Sequence, residues 1–209
     1  MERSRPLGIS RLDSTRGPYS TIEGERLSDR DAFSHNSYSD AGRVRLMHHD
    51  ARWRQEFEQT RSGLLQGCQG RVVAVEHIGS TAIGGVIAQP IIDAVAVIAD
   101  PVDFRDAVLL TEGLNYRTAA PPEWAEDGRR QQLVLNKPRY SETTHRVYFV
   151  TQGSPLLQRA IQFRDHLRGN PAMAIEFEAA KVDVWRQVEG DASGYEAGMV
   201  EVFEHFQPA

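Results

Sequence analysis

An aspartate set inside an apolar strand is the feature that most constrains this chain. Ile91 to Ile98 reads IIDAVAVI, a run rich in Val and Ile and too short for a helix, so it is expected to form a buried strand. Period 2 places Ile91, Asp93, Val95 and Val97 on one face. A carboxylate on such a face is costly unless it is paired, protonated or bound to a cation. A second short apolar run, Val72 to Ile78, precedes it, with Val73, Val75 and His77 expected on one face and Glu76 on the other. Small and turn-forming residues, Gly79-Ser80-Thr81 and Gly84-Gly85, separate the two strands.

That turn is the chemical complement of the aspartate. Glycine permits a positive φ or a close approach to a ligand. Consecutive N–H groups with the Ser80 and Thr81 hydroxyls, at the start of a short helix, can cradle an anion such as a phosphate. Gly-Ser after one strand and Asp on the next is the layout of nucleotidyltransferases of the DNA polymerase β type. In those enzymes Gly-Ser holds the triphosphate and a pair of strand carboxylates holds Mg²⁺. The stretch is still more similar to the signature of the GrpB (UPF0157) family, H-[IV]-G-S-T-[AS]-[IV]-x-G-[LV]-x-A-[KQ]-P-I-I-D, matched by His77 to Asp93. The resemblance continues at Gly153-Ser154-Pro155 and Phe163 to Arg168, and covers the chain from Arg43 to Phe206.

The resemblance implies a nucleotidyltransferase-like fold, with Asp93 and His77 as catalytic candidates and Asp93 as a ligand for Mg²⁺. It implies a nucleotide or phosphate site at Gly79, Ser80, Thr81 and Gln89, joined by Arg146, Tyr148 and Arg164. Three departures stand out. His49 and Ala51 replace residues of a Tyr-Asp-Pro-x-x-Trp-like pattern, and Arg146 and Tyr148 occupy a frequent His-x-His pair, offering a guanidinium fork where an imidazole would be. Two-metal transfer needs a second carboxylate two residues after the first, and Val95 is there instead. By sequence, only Glu76 or loop acids such as Glu123 and Asp127 can supply it.

The order of periodic segments predicts an α+β fold: a mixed, largely antiparallel sheet, helices mainly on one face, and a helical C-terminal section. Residues 1–42, rich in Ser, Arg, Asp, Gly and Glu and without a period, are expected to be a disordered extension, and 43–209 the domain. Tyr19, Ile22, Leu27 and Phe33 give that extension a means of docking on the domain or on a second copy, so a homo-oligomer is among the expected partners. A helix over Ala51–Gln66 is predicted behind an Asp50 cap, with Trp53, Phe57 and Leu64 inward, and a loop over Ala119–Arg130 long enough to border a site. Pro155–Arg168 and a helix starting at Asn170-Pro171 follow, the latter expected to bury Ile175, Ala179, Val182 and Trp185.

A net charge of −5 argues against bulk nucleic-acid binding, and the single Cys68 fits a reducing compartment. No signal peptide is visible and the apolar runs are too short to span a bilayer, so a soluble, cytoplasmic protein is expected. Three functions remain open on these residues. One is nucleotidyl transfer from an NTP to a small acceptor, with Asp93 on Mg²⁺. Another is a non-catalytic module for a nucleotide or other phosphate ligand. The third is metal-independent acid–base chemistry by His77 and Asp93 on a small anionic substrate.

Overall fold

The computed structural model describes residues 42–120, 133–138 and 140–208. Residues Asp40–Ala209 form one compact unit. The expected disordered extension and most of the expected site-bordering loop, with Glu123 and Asp127, lie outside the described residues. Five strands make one sheet: β1 (Val72–Ile78), β2 (Ile92–Ile98), β3 (Arg117–Ala119), β4 (Leu133–Lys137) and β5 (His145–Thr151), in the spatial order β1-β2-β5-β4-β3. Only the central pair β2 and β5 is parallel; the other three pairings are antiparallel. The α+β architecture with a mixed, largely antiparallel sheet is therefore as the sequence predicts.

The central strands read as unbroken apolar runs because both faces of the sheet are covered. On one face, α1 (Arg52–Gly67) and α2 (Phe104–Glu112) pack against Ile92, Ala94, Ala96, Val147 and Phe149. On the other, α3 (Pro155–Gly169) covers Val95, Val97, Tyr148 and Val150 through Leu156. The expectation of helices mainly on one face is thus corrected: the polar Asp93, Arg146 and Glu76 make the second face look solvated in sequence. One residue choice on β1 also changes. The register slips between Val72 and Ala74, so Val72, Val75 and His77 share the α1 face and Val73 is left outside.

Asp50 caps α1 as expected, its carboxylate accepting from Arg52 N at 2.9 Å. The residues 43–47, expected to be a short edge strand, instead make isolated bridges, Arg43 to Asp191 and Met47 to Ala88. They tie the turn before β2 to the C-terminal helices α4 (Pro171–Gln187) and α5 (Ala192–His205). Together with α3 these helices enclose a second core around Phe163, Phe177, Tyr195, Met199 and Phe206.

The buried face of α4 is not the expected one. Ala174, Phe177 and Lys181 are buried, whereas Ile175 is 71% exposed. Lys181 interrupts the true stripe, which made the neighbouring Ile175–Ala179–Val182 stripe look more apolar. Phe177 is fully buried, edge-on to Phe163 at 5.3 Å and to Phe206 at 5.5 Å. Phe177→Ala should therefore destabilise the fold by about 3–5 kcal/mol. Ile175→Ala should change it by no more than about 0.5 kcal/mol. Urea unfolding of the two variants checks this, and the reverse ranking would contradict the assigned face.

Candidate functional site

The site grows from the end of β1. Gly79 takes φ 71°, and a Cβ placed on it would lie 3.0 Å from Asp93 Oδ2. Both the backbone angle and the close approach to the carboxylate demand glycine there. Ser80–Ala82 then form a single 3₁₀ turn. Strand register lines up Ile78, Asp93, Arg146 and Asn136 across β1, β2, β5 and β4. The aspartate that interrupts the apolar face is therefore opposite an arginine on the neighbouring parallel strand.

Arg146 and Asp93 form a loose ion pair, NH1 to Oδ1 at 3.7 Å, with side chains 25% and 19% exposed. The Tyr148 hydroxyl donates to the same Oδ1 at 3.4 Å and accepts from Arg146 NH1 at 3.4 Å. Burial raises the Asp93 carboxyl above its ordinary range, opposed by Arg146, Tyr148 and, from further off, Lys181. Burial opposes the charge on Arg146, but the negative charges of Asp93 and Glu196 and the hydrogen bond to Tyr148 outweigh it, so the guanidinium stays charged.

Lys181 reaches the turn from α4. It is only 2% exposed, and its Nζ donates to Ser80 Oγ at 2.7 Å and to the Ile87 carbonyl at 2.6 Å. Glu178, one turn earlier, accepts from Ile87 N at 2.6 Å, so α4 holds both the N–H and the carbonyl of Ile87. Among the described residues no carboxylate comes within ion-pairing distance of Lys181. Burial pulls the amine down to about 7, against the weaker pull of Glu178 and Asp93. Desolvation is thus the dominant influence on this lysine.

These groups line a cavity of about 380 Å³ between the sheet and α3, α4 and α5. Gly79, Ser80, Thr81, Gln89, Asp93 and Arg146, all singled out in the sequence, share its wall. Tyr148 lies behind them, in contact with Asp93 and Arg146. Exposed charges stand at the outer wall: Arg159, Glu196 and Glu204. Lys181 is the contributor that sequence reasoning missed. Its only signal was a lysine at the i+4 position after Phe177 on an otherwise apolar stripe.

His77 and Arg164 do not belong to this cavity. His77 lies on the α1 face of β1, 6% exposed and stacked 4.5 Å from the Phe57 ring. Its Nε2 meets Thr81 Oγ1 at 3.1 Å, and the Thr81 hydroxyl donates in turn to the Ile91 carbonyl. That leaves Nε2–H as the donor to Thr81, and His77 serves to brace the turn. Arg164 is tied to Glu76 at 2.9 Å, Asp165 at 2.7 Å and the His77 carbonyl at 2.9 Å. Arg168 is held on the Ala82 carbonyl. Both arginines line a different cavity of about 660 Å³ beside α1, together with His77 and Glu76. A joint His77–Asp93 acid–base pair is therefore not formed, because the two side chains lie on opposite faces of the sheet and line different cavities.

No group of three His, Cys, Asp or Glu side chains placed to hold a metal occurs among the described residues. The donor set explains why. Asp93 is engaged by Arg146, the residue two further on is Val95, and Glu76 is committed to Arg164. The described residues therefore do not fit a Mg²⁺ pair, which needs several oxygen ligands in near-octahedral array.

A family model described as GrpB protein matches residues 43–208. The chain belongs to the GrpB family. A curated family relative, the UPF0157 protein SCO7215 of Streptomyces coelicolor, is 33% identical over 73% of this chain and 76% of its own length. The crystal structure of the conserved protein GrpB from Enterococcus faecalis superposes with a TM-score of 0.64 at 24% identity, covering 78% of this chain and 96% of that one. The GrpB architecture described above is thus shared with a solved structure. A more distant likeness, TM-score 0.45 at 9% identity, is to the Cid1 poly(U) polymerase with MgGTP bound, covering 67% of this chain and 44% of that one. No described helix is long and apolar enough to cross a membrane.

The bracing role of His77 predicts a pH signature. Burial, then the positive charges of Arg168 and Arg164, pull the imidazole down to about 3. In the unfolded chain the same group takes up a proton near its ordinary value, about 6.5. Between these values the unfolded state binds the extra proton, so stability is lost as pH falls from about 6.5 toward about 3. One such group contributes a slope of at most about 1.4 kcal/mol per pH unit. His145, pulled down to about 4 by burial and Lys137, acts in the same direction. His77→Gln keeps a donor for Thr81 and removes one proton, so its urea stability should fall less steeply between about pH 6 and pH 4.5. A slope equal to that of the unaltered protein would contradict the assignment.

Proposed function

We propose that this GrpB-family protein binds a phosphate-bearing small molecule, of the nucleoside triphosphate class, in the cavity between the Gly79-Ser80-Thr81 turn, Arg146 and Lys181. The observation that carries this reading is Lys181. A buried ammonium that has, among the described residues, a hydroxyl, a carbonyl and the Phe177 ring for partners but no carboxylate is expensive, and an anionic ligand beside it would reduce that cost. Its hydrogen bond to Ser80 directs the charge at the same turn whose serine and glycine line the cavity. The half-exposed Arg146 fork completes a positively charged floor. The partner is a small molecule, since the wall is concave and the chain's net charge of −5 disfavours bulk nucleic acid.

Transfer of a nucleotidyl group to an acceptor would ask for more than binding. It needs paired strand carboxylates holding metal ions, and on the described strands that line this cavity Asp93 stands alone, already opposite Arg146; Glu196 and Glu204 are out at the exposed rim. Binding is what the geometry supports. No catalytic step follows from these residues.

Isothermal titration of ATP and of inorganic triphosphate tests the reading. Ser80→Ala should weaken binding by roughly 1–2 kcal/mol, the scale of one hydrogen bond to a charged group. Lys181→Met should weaken it by about 2–3 kcal/mol. Because the amine is pulled down to about 7, affinity should fall as pH rises above 7, and the Met variant should lose that dependence. Absence of binding by either probe, or equal affinity in well-folded variants, would end the case for this cavity.

A further inference from the structure

We propose that Arg146 is the built-in counter-cation of the cavity: its guanidinium bridges Asp93 and the phosphate of the ligand, so that the ligand binds without a divalent metal. This rests on the phosphate reading of the cavity given above. Asp93 and Arg146 are direct partners on the parallel strands β2 and β5, so their separation is fixed by the sheet and not by a flexible loop. NH1 faces Asp93 Oδ1 at 3.7 Å and donates to the Tyr148 hydroxyl at 3.4 Å. Among the described residues Nε and NH2 make no hydrogen bond, although the side chain lines the cavity. An arginine anchored through one nitrogen, with the rest of its planar fork open, is suited to a tetrahedral oxyanion.

The arrangement also works against a metal. A divalent cation bound to Asp93 would stand a few ångströms from a guanidinium that remains charged, and like charges at that range repel strongly in a partly buried site. Of the carboxylates that might share such an ion, Glu76 is paired with Arg164, and Glu196 and Glu204 stand exposed at the outer wall, where Glu196 attracts Arg146. Since Arg146 balances Asp93, the charge of Lys181 is left over for the ligand. An electroneutral Asp93–Arg146 pair plus one buried ammonium makes a cation site out of protein atoms alone.

The experiment uses the full chain and titrates ATP and inorganic triphosphate in excess EDTA and in excess Mg²⁺. The expected result is binding in EDTA, no weaker than with Mg²⁺ by more than a few-fold. Arg146→Met should lower affinity in EDTA by roughly tenfold or more, the scale of a lost charge-assisted contact. With Asp93 then unpaired, added Mg²⁺ should recover part of that loss. Arg146→Met leaves a buried carboxylate uncompensated, so its melting curve is read alongside, with the neutral double variant Asp93→Asn, Arg146→Met as the folded control. That control should also lose affinity in EDTA, but without recovery by Mg²⁺. Binding by the unaltered protein that EDTA abolishes and Mg²⁺ restores would overturn the inference while leaving the cavity intact. No binding in either condition would overturn both.

Discussion

Lys181 places an almost wholly buried ammonium at the floor of the cavity. Its bond to Ser80 Oγ fixes the turn after β1, and its bond to the Ile87 carbonyl, with Glu178 on the N–H of the same residue, holds the loop before β2. Two residues one turn apart on α4 thereby position the segment that contains the whole sequence signature. A neutral side chain could make similar hydrogen bonds at lower desolvation cost. The presence of a charge at this depth is what gives the turn a chemical purpose.

The sheet provides the second constraint. Period 2 sends Asp93, Arg146 and Tyr148 to the α3 face and His77 to the α1 face, so neighbouring residues of one signature serve different ends. His77 stacks on Phe57 and holds Thr81, whose hydroxyl reaches the Ile91 carbonyl. Thr81 touches both cavities and is the mechanical link between them. Histidine here supports the geometry of the turn, and the charged chemistry is confined to the other side of β1.

Much of this was legible in the sequence because it rests on local signals. The apolar runs of β1 and β2, the cap at Asp50 and the interrupting aspartate all follow from spacing and residue type. So do six of the cavity-lining residues, all but Arg146 within one contiguous stretch. What escaped was set by tertiary contact. The bulge in β1 exchanged Val73 for Val72, and no pattern marks a one-residue slip. Arg164 looked available for a ligand, but Glu76 and Asp165, one of them distant in sequence, consume its donors. The face of α4 was misread because its functional lysine occupies a core position, a conflict between local pattern and global fold of the kind expected at a site.

That the buried ammonium of Lys181, without a carboxylate partner among the described residues, awaits an anion can be observed on the residue itself. NMR of the lysine ε-methylene groups, assigned through Lys181→Met, follows its protonation directly. The account predicts titration near pH 7 in the free protein, far below an ordinary lysine, and a clear upward shift when inorganic triphosphate is added. A Lys181 signal that titrates as a solvated lysine, or one that triphosphate leaves unmoved, would contradict it.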